Sequence, residues 1–266
     1  MSVGLPAAAS ALPEKFKNEQ AMGEQDRTDT RPWLLIETSG QIGQVGLAAA
    51  GRIVAGQSLD PQRRHARDLA AAVESLIRQS SLPPSQWAGV MVSIGPGSFT
   101  GLRVGVMSAK TFAYVTGRPL RAVPTFAAVA AQTASVADYV WVVADALRGQ
   151  LYAQLFRGGG GDPQAETPLL LLSWEQWRMQ VRDQAVITGP AAAVVAQRWP
   201  ELPIAPPQTH LPTLAGLYAA GCRLPSLSRE QLFALEPLYV RPSYAEERRL
   251  PSPSAPDIPP SSSGSC

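Results

Sequence analysis

Ala88-Gly89-Val90-Met91-Val92-Ser93-Ile94 runs without a charge into Gly95-Pro96-Gly97, and from Ser98 to Thr116 the apolar residues recur at helical spacing. An unbroken apolar run closed by glycine and proline predicts a strand buried on both faces, and the change of period after it predicts a helix. Gly117 and then Pro119 supply the stop signals at the far end. A strand, a glycine turn and a helix in that order are the joint of an α/β fold whose strands run parallel.

Working upstream, residues 63–80 place Ala66, Leu69, Ala70, Val73, Leu76 and Ile77 three and four apart, one face of an amphipathic helix halted by Pro83-Pro84. Before it come three short strands: Trp33-Leu34-Leu35-Ile36, the alternating Gln44-Val45-Gly46-Leu47-Ala48, and Arg52-Ile53-Val54-Ala55-Gly56. The expected first lobe is therefore a mixed sheet, an antiparallel meander followed by a parallel strand. Downstream, Tyr139–Ala144 and Leu151–Phe156 flank Asp145–Gln150 as a strand pair with a turn, and a second lobe is expected to begin there. Short helices over 173–181, 191–199 and 213–223, a strand at Val186-Ile187-Thr188 and an extended stretch over 237–241 complete it. The organisation that follows is a polar leader over 1–31, lobes over 32–135 and 136–244, and a Pro/Ser-rich tail over 245–266, with both ends expected to be disordered.

Composition narrows the function. The 266 residues are 45% hydrophobic and 17% charged, which excludes a wholly disordered chain or a collagen-like repeat. Twenty-three basic against 21 acidic residues leave +2, too even for nucleic-acid or membrane binding by bulk charge, so such contact must be local. No apolar run approaches the 18 residues that a membrane span needs. Two cysteines, Cys222 and Cys266, make no disulfide framework, and a reducing, cytoplasmic setting is expected. Ala7-Ala8-Ala9 has the chemistry of a signal-peptide cleavage site, but the apolar run around it is short, interrupted by proline and not preceded by a basic segment.

The joint invites an anion, because the first N–H groups of the helix over 98–116 and the positive end of its dipole open there. It is not a P-loop, since Gly101 is followed by Leu102-Arg103 and not by lysine. It is not a nucleophile elbow either, since Pro96 and Thr100 stand where that motif needs glycines. The plainer reading is a tight turn with Ser98 or Thr100 capping the helix. Within the helix Gly101, Gly105 and Ala109 form a stripe of small residues with Ser108 beside it. Each helical glycine costs roughly 0.5–1 kcal/mol against alanine, so a close approach must offset it. The approaching surface is either the preceding helix of the same lobe or a helix of another subunit. No metal site is expected: His65 has Leu69 one turn later, where a helical site would need a second histidine, and His210 stands alone. Arg63, Arg64 and Arg67 around His65 read as a solvated basic face or as a local contact for RNA or an acidic partner.

The run from Ser93 to Gly105, together with Leu35-Ile36-Glu37-Thr38-Ser39 and the His65 helix, resembles the bacterial TsaB (YeaZ) family of tRNA threonylcarbamoyladenosine biosynthesis proteins. Asp145-Ala146-Leu147-Arg148-Gly149-Gln150-Leu151-Tyr152 is similar to that family's Asp-Ala-Arg segment with one residue shifted, and Glu236-Pro237-Leu238-Tyr239-Val240-Arg241 to its closing motif. The resemblance covers about 33–241 and is thin from Phe156 to Leu235. It implies a two-lobed, actin-like (ASKHA, ribonuclease-H-like) α/β fold with mixed sheets. It also implies an accessory subunit with no activity of its own. Its partners would be the paralogue TsaD, which holds metal and transfers the threonylcarbamoyl group to adenosine 37 of tRNAs reading codons that begin with A, and the ATPase TsaE. ATP and metal then belong to the partners, tRNA is met through the complex, and a homodimer is expected when the partner is missing. The resemblance assigns the two helices to the partner interface, with His65, Leu69, Val73 and Leu76 on the first. On the second it assigns Gly101, Leu102, Gly105, Val106, Ser108, Ala109 and Phe112. The alternative is an actin-fold ATPase or phosphotransferase that holds nucleotide at Glu37, Thr38, Ser39, Gly97, Ser98 and Thr100; where the family usually ends its first strand in aspartate, this chain has Glu37.

Overall fold

In the computed structural model, residues 29–59, 65–133, 137–158, 163–182 and 184–239 are described. Trp33–Glu37 (β1), buried along its whole length, is the middle of a five-stranded sheet. It pairs antiparallel with Gln44–Ala49 (β2), which pairs antiparallel with Arg52–Ser58 (β3) at the edge. On its other side Gly89–Gly95 (β4) runs parallel to β1, and Leu120–Pro124 (β5) parallel to β4. The order is β3-β2-β1-β4-β5, the mixed sheet expected from the meander and the later strand. β5 and the helix that follows it, Thr125–Ala130, were not foreseen.

His65–Gln79 (α1) and Phe99–Thr116 (α2) lie on one face, where Leu34, Ile36, Val90 and Val92 meet Leu69, Leu76, Val106 and Ala109. Thr125–Ala130 (α3) stands between the two sheets: Phe126, Val129 and Ala130 pack on Val140, Val142 and Phe156 of the second. That sheet is built on the hairpin Tyr139–Leu147 (β6) and Gln150–Arg157 (β7). Gln164–Ala165 (β8) and Leu170–Ser173 (β9) both pair with β7. Trp174–Arg178 (α4) follows with Ser173 as its capping-box residue. Ala185–Thr188 (β10) then adds parallel to β6 and leads to Ala192–Arg198 (α5). Trp141, Trp174, Trp177 and Val195 fill the core of this lobe.

The chain then returns to the first sheet, which corrects the second lobe's expected extent of 136–244. Leu214–Gly221 (α6) lays Leu214, Leu217 and Tyr218 on Trp33, Leu35 and Met91, the face opposite α1 and α2. Arg229–Ala234 (α7) puts Leu232 into the core beneath α1 and α2. The reason is simple: a sheet whose central strands are apolar on both faces needs cover on both. Without α6 most of the Trp33 face would be uncovered.

Candidate partner surface and the strand-end joint

The turn Gly95–Ser98 closes on its own chain. Ser98 donates its backbone N–H to the Ser39 carbonyl at 2.7 Å, and its hydroxyl caps the helix by accepting from Gly101 N at 3.2 Å. Gly97 lies so close to Ser39 that a Cβ there would collide with the Ser39 carbonyl. Two of the N–H groups offered to an anion are thus used internally, which corrects the expectation of unpaired donors facing outward. From the other side the C-terminal segment crosses the joint: Leu238 N–H donates to the Ile94 carbonyl at 2.7 Å, and its own carbonyl lies 3.2 Å from where a Gly95 Cβ would be. Gly95 has φ +113°, a conformation suited to glycine.

Glu37, Thr38 and Ser39 are all buried below this turn, whereas Gly97 and Thr100 are exposed and Ser98 half-buried. The Glu37 carboxylate accepts from Ser39 N–H at 2.7 Å and from the Ser39 hydroxyl, while its Oε2 makes no well-formed hydrogen bond. Burial pushes this carboxyl above its ordinary value of 4.5, against the downward pull of the Ser39 and Ser93 groups. The Thr38 hydroxyl is likewise buried without a partner. The six residues of the proposed nucleotide set do come together, but as a packed strand end whose hydroxyls and amides face one another.

The small stripe on α2 is also answered within the chain. A Cβ on Gly101 would strike the Thr38 carbonyl, and one on Gly105 would strike the Thr38 hydroxyl, with Ile36 Cγ2 at 3.4 Å. The approaching surface is therefore the end of β1, neither of the two helices considered from sequence. Leu69, Leu76, Gly101, Leu102, Gly105, Val106 and Ala109 are all buried there. As interface residues they are corrected, because their side chains already serve the lobe's core. Val73, Ser108 and Phe112 are half-buried, and Phe112 packs its ring on Trp87 at 5.5 Å. His65 is the first residue of α1, and Arg63 and Arg64, like Val240 and Arg241 of the closing motif, lie outside the described residues.

What α2 offers outward was missed. Met107 is 60% exposed, Tyr114 63% and Val115 75%, with Phe99 near the start of the same outer face. The C-terminal segment extends this surface: Phe233 packs edge-on against Tyr114 at 5.8 Å, and Tyr239 tilts onto Phe99 at 5.0 Å. Lys110 fastens it by donating to the Phe233 and Leu235 carbonyls at 2.8 and 3.0 Å, and Arg103 lies over the Phe99 ring. The signal was present in the sequence, since residues 99–116 contain no acid and are apolar on more than one side. Among the described residues no group of three or more His, Cys, Asp or Glu is placed to hold a metal ion.

The sequence profile of the TsaD family, described as tRNA N6-adenosine threonylcarbamoyltransferase, matches residues 59–167. The tRNA threonylcarbamoyladenosine biosynthesis protein TsaB of Bacillus subtilis (strain 168) is 28% identical over 157 residues, 58% of this chain and 68% of that protein. The chain is similar to the TsaB (YeaZ) family. An uncharacterized protein of Mycobacterium tuberculosis (strain H37Rv) is 36% identical over 90 residues, 41% of its length. Two solved Pseudomonas aeruginosa structures share the fold. One, described as similar to peptidase YeaZ, superposes with a TM-score of 0.66 at 23% identity, covering 79% of this chain and all of that one. The other, YeaZ itself, gives 0.63 at 22%, covering 79% and 99%. The chain thus has the mixed-sheet α/β fold of these two YeaZ structures.

Proposed function

We propose that this TsaB-like chain is the accessory subunit of a complex that forms N6-threonylcarbamoyladenosine at position 37 of tRNAs reading codons that begin with A. It binds and stabilises a TsaD paralogue, and TsaE joins the assembly. The observation that carries this reading is a helix apolar on both sides: α2 seats its glycine stripe on β1 and turns Met107, Tyr114 and Val115 to solvent, extended by Phe233 and Tyr239. An apolar patch of this kind on a folded lobe marks a docking surface, and large rings and methionine are the residue types that anchor such interfaces. The family resemblance supplies the partner's identity. When the paralogue is missing, the same face joins two copies of this chain.

Met107→Glu and Tyr114→Glu alter exposed side chains and leave the core untouched. The expected result is a monomer with unchanged melting temperature that no longer co-purifies with the TsaD paralogue, the affinity falling at least a hundredfold. Unchanged affinity in both variants would overturn the assignment. The ATPase alternative draws on the buried Glu37 and Thr38 oxygens that lack partners. The joint's contacts to Ser39 and Leu238 count against it, and titration of the isolated chain with Mg-ATP separates the two readings.

A further inference from the structure

The register brings one kind of side chain to the end of the first sheet opposite the Gly95 joint. β1, β4 and β5 begin there, the β2–β3 turn closes there, and α6 ends there. The described residues of this end, 29–33, 48–53, 84–89, 117–121 and 219–226, include Arg31, Arg52, Arg118, Arg121 and Arg223 against a single acid, Asp29. Asp29 is matched to Arg31 by a two-pronged ion pair, with Nη2 2.7 Å from Oδ2. The charge of Arg118 reaches the same carboxylate and helps hold it below its ordinary value. Arg121 is buried, its guanidinium 4.4 Å from the Trp33 ring centroid and donating to the Gly221 carbonyl at 3.2 Å. Beside these lies a cavity of about 400 Å³, walled by Ile53, Ala215, Ala219 and Tyr218 and flanked by Arg52 and Arg223. It is within the size range of small-ligand pockets.

We propose that this arginine-rich end of the first sheet binds an RNA backbone, the adjoining cavity receiving an unstacked base against Ile53 and Ala215. The spread of the charges selects RNA over a small anion. β3 and β5 are four strand spacings apart, roughly 19 Å, so Arg52 and Arg118 cannot grip one phosphate but can reach phosphates a few nucleotides apart on one polyanion. An apolar cavity beside a cationic track is how proteins hold splayed bases of single-stranded RNA. The chain's overall charge of +2 hides this asymmetry. The inference rests on the proposed function for which RNA is met, a tRNA, but not for the cluster itself.

The test is fluorescence anisotropy of a labelled, unmodified tRNA transcript titrated with the full chain at several salt concentrations. The Arg31→Glu/Arg52→Glu double variant is expected to bind at least tenfold more weakly, and its log–log salt slope to fall by about two. Arg223→Glu is expected to weaken binding in the same direction. Arg157→Glu, a second-lobe arginine paired with Glu166, makes the same kind of charge change elsewhere and should leave affinity within twofold. The proposal is overturned by a wild-type chain that does not bind the transcript, by a double variant that binds like wild type, by an equal loss in Arg157→Glu, or by AMP or inorganic phosphate binding without RNA. Co-purification with the TsaD paralogue, run on the same variants, keeps the two ideas apart. Lost RNA binding with intact pairing supports this site, whereas failure of wild-type pairing strikes the proposed function alone.

Discussion

Glu37 departs from ordinary carboxylate chemistry. Its carboxyl is buried at a strand end with one oxygen held by Ser39 and the other without a well-formed hydrogen bond. Its folded-state pKa lies above the unfolded value, so the folded chain holds this proton more tightly than the unfolded one. Stability from this group is therefore full below about pH 4.5 and is lost as the pH rises through the elevated folded value. Glu37→Gln keeps the acceptor for Ser39 and removes the charge. The variant is expected to melt above the wild type at pH 7–8, with the gap closing as the pH falls below 4.5, in thermal melts followed by circular dichroism. A wild type that gains stability over the same acid-to-neutral span relative to Glu37→Gln would contradict the sign.

Among the elements, α2 shows what could be read from sequence and what could not. Its bounds were legible because Ser98, Gly117 and Pro119 are chemical stop signs, and Ser98 and Gly117 do cap it, the latter at φ +65°. The stripe Gly101, Gly105, Ala109 was legible as a close approach, since glycines inside a helix need a reason. What approaches was not legible, because a backbone oxygen and a threonine hydroxyl at the end of β1 leave no periodic trace in sequence. Gly105→Ala tests the seating. The new methyl meets Thr38 and should cost about 1–3 kcal/mol by overpacking, read as a lower urea midpoint at unchanged slope. An exposed helix would instead gain about 0.5–1 kcal/mol from the same change. β5 was missed for a different reason: Leu120-Arg121-Ala122-Val123-Pro124 carries a charge in mid-run and a proline at its end, and contacts that sequence does not display, the Trp33 ring and the Gly221 carbonyl among them, make Arg121 acceptable inside. α3, at six residues, is too short to show a period.

For the whole molecule, the lobes do not follow one another along the chain. The second lobe's strands, 139–188, interrupt a first lobe that is completed only by α6 and α7. The sequence showed both the apolar strands and the helix over 213–223, but a helix apolar all round does not name the surface it covers. A fragment ending at residue 133 keeps the sheet and loses most of its second cover, leaving Trp33, Leu35 and Met91 with only α3 beside them. This fragment is expected to aggregate or remain unfolded by size-exclusion chromatography and circular dichroism, and co-expression with residues 206–239 to recover soluble material. A stable, monodisperse fragment would show that α6 is dispensable.

The late return of α6 sets a timetable for synthesis. About 80 residues separate the end of α3 from the start of α6, and at roughly 5–20 residues per second the ribosome needs about 4–16 seconds to make them. For that interval a finished sheet waits with a largely uncovered oily side, long enough for a chaperone to be the nascent chain's first companion.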